Sequence, residues 1–143
     1  MLQPLNACLD AWSFLVPKRA ERLIVGRNAH GAIAFVDDLA TAAPRLYVVD
    51  PLNIDLLSDV DLNLFTFIDQ YLPENRIPTF TDDRIYRQWR DKGVELGDDE
   101  ILAIDVPLTL GGKAQLDNLH IENIIEHYRA TGPIYAKGFA KKK

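Results

Sequence analysis

Apolar residues recur at the helical period near the start of this sequence, give way to short apolar runs broken by turn residues, and return to the helical period further on. Leu5, Cys8, Leu9, Trp12, Leu15 and Val16 predict a helix from Pro4 to Val16, with Pro4 suited to the first turn and Pro17 barring continuation. Four strand-like runs follow at 22–25, 32–36, 45–49 and 54–57. Gly26-Arg-Asn-Ala-His-Gly31 separates the first two, a polar and small-residue loop at 37–44 the next, and Asp50-Pro-Leu-Asn53 the last. Short strands joined by turn-forming residues predict an antiparallel meander.

The helical period then returns. Leu64, Phe65, Ile68, Tyr71 and Leu72 mark one face of a second helix, with Ser58 or Asp61 near its start and Pro73 at its end. Thr81 suits the N-cap of a third, with Asp82 and Asp83 in its first turn, Arg90 and Lys92 in its last, and Gly93 just beyond. Phe80 and Ile85 are spaced for a hydrophobic staple, and Ile85, Tyr86 and Trp89 form the inward stripe. Ile101 to Val106 has strand composition. A last helix is predicted from about Asn118 to Thr131, capped by Asp117, stapled by Leu116 and Ile121, and ended by Gly132 and Pro133. The lysine-rich residues 137–143 read as a flexible basic tail. The fold class is therefore α+β: one domain over 1–143, a mainly antiparallel twisted sheet packed by about four helices.

Charge changes the picture more than overall composition does. The net charge is −5, but residues 50–105 alone hold fourteen acids against five bases. That excess repels phosphate backbones and attracts basic partners, so direct nucleic-acid binding is disfavoured. No apolar run approaches the roughly 20 residues that span a bilayer. The N-terminus lacks a secretory pattern, and the single cysteine, Cys8, cannot form an internal disulfide; both fit a cytoplasmic protein. Cys8 lies on the apolar face of the first predicted helix and reads as an inert buried thiol.

Candidate chemistry is sparse. His120 and His127, if on one straight helix, stand about 10 Å apart, too far to share a metal ion. The carboxylate pairs Asp37-Asp38, Asp82-Asp83 and Asp98-Asp99 are sequence neighbours whose side chains diverge. Gly26 and Gly31 lack the Lys-Ser/Thr of a phosphate loop, and Gly111-Gly112-Lys113 reads as a turn. No catalytic, cofactor-binding or metal set emerges. A cleft near His30 and Asp37, serving a small molecule or a hydrolytic reaction, is the alternative to a protein-binding role.

The stretch Leu96-Gly-Asp-Asp-Glu-Ile-Leu-Ala-Ile-Asp-Val-Pro-Leu-Thr-Leu-Gly-Gly-Lys-Ala-Gln-Leu-Asp-Asn-Leu119 resembles the C-terminal domain of type VI secretion immunity proteins, the family associated with GAD-like domains. More loosely, it is similar to the SMI1/KNR4-type immunity superfamily. The resemblance spans residues 22–131 and is strongest at Pro107, Leu110, Gly111, Gly112, Asn118 and Leu119. A single helix precedes residue 22, where that family carries a GAD-like domain. The resemblance implies a non-enzymatic protein without cofactors that neutralises a secreted bacterial toxin, in some cases a nuclease, with the two glycines structural. An acidic inhibitor would suit the basic groove of a nuclease. On that expectation Asp82, Asp83, Asp98, Asp99 and Glu100 supply the face, and Tyr86 or Trp89 anchors it.

Overall fold

Four short strands, β1 (Arg22–Arg27), β2 (Ile33–Asp37), β3 (Leu46–Asp50) and β4 (Asp55–Leu57), pair in sequence order as the antiparallel meander that the apolar runs predict. They belong to a computed structural model that describes residues 2–17, 22–37 and 44–142. Most of the expected 37–44 loop, Asp38 of the Asp37-Asp38 pair and the final Lys143 lie outside the described residues.

The turns follow from their side chains. Asn28 Oδ1 accepts the backbone N–H groups of His30 (3.0 Å) and Ala32 (2.9 Å), and Gly31 adopts a left-handed φ of 89°. In the next turn Asp50 accepts from the Leu52 backbone N–H (2.9 Å) and the Asn53 side-chain amide (2.7 Å). The β1 edge is partly closed by Gln3, whose amide donates to the Ile24 carbonyl and accepts from the Ile24 N–H.

Alternation sends successive strand residues to opposite faces, and both faces of this sheet are covered. Ile24, Ile33, Phe35 and Val49 pack under helix α1 (Asn6–Ala11) and the last helix, α5 (Ile124–Lys142). A hairpin of β5 (Glu100–Ile104) and β6 (Leu119–Asn123) adds Ile101 and Ala103 to that layer. Trp12 is fully buried there, with its ring 4.7 Å from that of Tyr128 and its indole N–H donating to Thr131 at 3.0 Å. The Tyr128 hydroxyl donates to the Gly31 carbonyl at 2.7 Å, tying α5 to the first hairpin. Ala34, Val36, Leu46 and Val48 face the other way, against Leu62, Phe67, Tyr71 and Ile77. The chain is thus an α+β domain with antiparallel sheets.

The first and last predicted helices need correction. The first helix buries its predicted face but is α-helical only over Asn6–Ala11, after a 3-10 turn at Gln3–Leu5. The predicted 118–131 helix begins later: residues 119–123 form β6, and Asn123 accepts the Glu126 N–H at 3.0 Å to cap α5. Neither Asp117 as cap nor Leu116 with Ile121 as staple survives that shift. Gly132 and Pro133 lie inside α5, which continues through the supposed flexible tail to Lys142. An alanine Cβ at Gly132 would sit 2.3 Å from the Ala11 carbonyl oxygen, so this glycine permits close helix packing instead of ending the helix.

Cys8 is buried as predicted, and burial pushes its thiol up to about 12. The glycine pair is structural too. Gly111 has a φ of 92°, and an added Cβ at Gly112 would lie 1.7 Å from the Val106 carbonyl oxygen. Asn118 holds this loop by accepting from the Val106 N–H (2.9 Å) and donating to the carbonyls of Val106 (2.9 Å) and Lys113 (3.0 Å). Pro107 and Leu119 are buried beside it, whereas Leu110 is exposed.

Candidate functional site

The segment after β4 builds a surface that the apolar pattern does not reveal. Asn63 is extended (φ −128°, ψ 177°), and its side-chain oxygen accepts the N–H groups of Phe65 (3.0 Å) and Thr66 (3.1 Å). Thr66 Oγ1 returns the bond by accepting from the Asn63 N–H at 2.9 Å, completing a capping box. The same hydroxyl reaches the Asp61 carbonyl at 2.6 Å and holds the Asp59–Leu62 turn against the helix start. One turn, α2 (Leu64–Thr66), widens at once into a π turn over Phe67–Tyr71.

That start point sets which residues turn inward. Leu62, Phe67 and Tyr71 are buried, while Phe65 is 60% exposed, Ile68 56% and Val60 79%. Phe65 and Ile68, three residues apart, were expected on the inward face and instead share the outward one. Asp59, Asp61 and Asp69 are exposed immediately beside them in sequence. The segment from Asp59 to Asp69 thus exposes three apolar side chains and three carboxylates. The signal that could have located it is Asn63 followed by Thr66, which places the first helical residue at Leu64 and so sets the phase.

The predicted acidic face is divided. Thr81 ends helix α3 (Pro78–Thr81) and caps nothing; Phe80, within α3, packs edge-on against Phe67 and forms no staple with Ile85. Asp82 and Asp83 precede helix α4 (Arg84–Asp91) instead of occupying its first turn. Each is matched by an arginine: Asp82 bonds Arg84 through two nitrogens (2.9 and 2.7 Å), and Asp83 bonds Arg87 at 2.8 Å. The Arg84 guanidinium holds the Asp82 carboxyl below its usual range. Glu100 accepts the Gly97 N–H at 2.7 Å, closing the turn before β5. Asp98 and Asp99 are exposed, although the Asp98 carbonyl is bonded by Arg27.

Tyr86 and Asp98 line one shallow depression with Arg27, while Trp89 lines another with Lys92, Val94 and Leu116. None of Ile85, Tyr86 and Trp89 is fully buried, and α4 exposes Arg84, Arg87 and Arg90. The structure therefore gathers Tyr86 with Asp98 and leaves Asp82, Asp83 and Trp89 outside a common acidic face.

The histidines are also rearranged. His120 and Glu122 lie two apart on β6, on one face, and the first turn of α5 brings His127 back to them. Glu122 Oε2 lies 2.7 Å from His120 Nε2 and 3.1 Å from His127 Nδ1, and Asp105 lies 2.5 Å from His120 Nδ1. The 10 Å separation expected on a straight helix does not apply, yet no group of three or more metal-binding side chains able to hold an ion occurs among the described residues. Among the described residues His30 and Asp37 line different depressions: His30 precedes β2, and Asp37 ends it, beside Phe35 and Tyr47. No helix among the described residues is long and apolar enough to cross a membrane.

Burial lowers the pKa of His127 from 6.5 against the opposing pull of Glu122, and lowers that of His30 in the same way. Below pH 6.5 the unfolded chain thus binds protons that the folded chain refuses. These two groups contribute their full stability above that pH and lose it as pH falls toward their folded values. Asp50, raised by burial, acts in the opposite sense, its contribution being lost as pH rises through its folded value. The melting temperature of His127→Asn should therefore fall less than that of the native chain between about pH 7.5 and 5.5. Parallel melting curves across that range would refute the assignment.

No protein-family model matches the chain, and no curated protein matches it.

Proposed function

We propose that this chain is a non-catalytic binding protein that docks on a basic protein surface, in the manner of an immunity protein neutralising a secreted toxin. The observation that carries the reading is the exposure of Val60, Phe65 and Ile68 within one short segment that also exposes Asp59, Asp61 and Asp69. An exposed phenylalanine on a capped turn is a preformed anchor, since little further ordering is needed to bury it against a partner. The carboxylates complement a positively charged surface and speed encounter with it. A nuclease-type toxin has such a surface, because its groove must hold phosphate. The glycine and asparagine loop at Pro107–Leu119, on which the resemblance to immunity domains rests, supplies support and no chemistry.

The test is to look for a secreted-toxin gene beside this one, to co-express the two products, and to measure their binding once purified. The native chain should restore growth. Phe65→Asp with Ile68→Asp should weaken binding about thirtyfold or more without lowering the melting temperature appreciably, because both side chains are exposed. Asp59→Lys with Asp61→Lys should slow association at low salt and much less at high salt. Charge reversal at Asp98 and Asp99 separates the two acidic surfaces, and unchanged binding at low salt would remove those two residues from the interface. Full affinity in the Phe65/Ile68 double variant would sink the proposal.

A further inference from the structure

A cleft of about 500 Å³ opens between the Asp50–Asn53 turn, α3, the start of α4 and the loop after β5. That volume is within the range of small-molecule sites. Leu52, Pro78, Ile85 and Leu108 supply its apolar lining, and Asn53, Thr79 and Gln88 its uncharged polar positions. His30 also lines it, although only 5% of this residue is exposed.

The bonding of the His30 ring fixes what it can offer. Its Nδ1 lies 3.3 Å from the Leu102 carbonyl oxygen. A carbonyl can only accept, so Nδ1 carries the proton and Nε2 keeps a lone pair. Nε2 has no bonding partner among the described residues. It is not sealed from solvent either, since the sealed, unpartnered side-chain atoms of the described residues are Arg22 Nη1, Tyr71 Oη and Trp89 Nε1. Burial lowers the ring's pKa from 6.5, against the pull of the Leu102 carbonyl, Asp82 and Asp50, and so favours the neutral form. At the rim, Asp82 and Arg84 are bonded to each other, so their charges offset. The cleft therefore presents apolar surface interrupted by Asn53, Thr79 and Gln88, an internally paired Asp82–Arg84, and at its base a ring nitrogen that no protein donor meets.

We infer that this cleft binds a small uncharged molecule with an apolar body and an O–H or N–H group that donates to His30 Nε2. The inference does not rest on the partner surface at α2, and either can fail without the other.

Phenol is a small probe with both features, and anisole has the same ring without the donor. The intact chain, labelled with ¹⁵N in the histidine rings, would be titrated with each by NMR. The free protein should show an Nδ1–H ring with Nε2 unprotonated. Phenol should move the Nε2 resonance to lower frequency in a saturable way, whereas anisole should bind about tenfold more weakly and leave Nε2 in place. Ala114→Trp, at an exposed position lining the cleft, should abolish the phenol response while the Nδ1–H signal persists. A protonated Nε2 in the free protein, an Nε2 unmoved by phenol, equal responses to the two probes, or an undiminished response in Ala114→Trp would each overturn the inference.

Discussion

Gly132→Ala should destabilise the fold by about 3 kcal/mol, even though alanine is the better helix former. Gly132 sits within α5 where it crosses α1, and it is buried. A Cβ there would lie 2.3 Å from the Ala11 carbonyl oxygen and 3.2 Å from its carbon. Both are backbone atoms, so no rotamer change relieves the contact and the helices must move apart. That movement would loosen the packing of Trp12 between them. Gly138, in the same helix, has nothing within 4 Å of its would-be Cβ, so Gly138→Ala should instead gain about 0.5–1 kcal/mol from propensity. Urea unfolding of the two variants checks both signs. Equal effects would mean that Gly132 is not a packing glycine.

Trp12→Ala should cost about 4 kcal/mol, the usual range for emptying a large aromatic site in a core. Trp12 is 0% exposed and meets three aromatic rings: Tyr128 at 4.7 Å, Phe14 at 5.5 Å and Tyr135 at 5.6 Å. It also donates to the Thr131 hydroxyl, which itself donates to the His127 carbonyl at 2.7 Å. Trp12→Phe keeps an aromatic body and loses that donor, so it should cost about 1–2 kcal/mol. Denaturant unfolding with an unchanged slope is the measurement. A loss below that of the phenylalanine variant would contradict the packing described for α1 and α5.

The meander was legible because each of its strands is short, apolar and bounded by residues that force a turn; Asp50-Pro-Leu-Asn53 is the clearest case. The inward face of the N-terminal segment was legible from its helical period, as Leu5, Cys8, Leu9, Trp12 and Val16 are all buried. Where the reading failed, one residue type served a purpose other than its commonest one. Gly132 and Pro133 look like a helix stop, but the glycine is there for helix contact. Ile121, Ile124, Ile125 and Tyr128 fit one helical stripe, yet Ile121 pairs with Leu102 across a hairpin. Local sequence does not distinguish the two, because the strand partner lies nineteen residues earlier. The candidate surface was missed by a phase error: Phe65 and Ile68 satisfy a helical stripe, but the capping box and the π turn rotate them outward. The acidic pairs before α4 were visible, but the arginines that neutralise them act only once the helix has formed.

The layer over one face of the meander comes from the two distant ends of this sequence, with α1 and α5 meeting around Trp12. During synthesis the four strands can pair once residue 57 has left the ribosome. Ile24, Ile33, Phe35 and Val49 then lack the cover of the β5–β6 hairpin and of α5 until Tyr128 and its helix emerge. For that interval the nascent chain displays a greasy sheet, the kind of surface that chaperones hold and that other nascent chains can stick to.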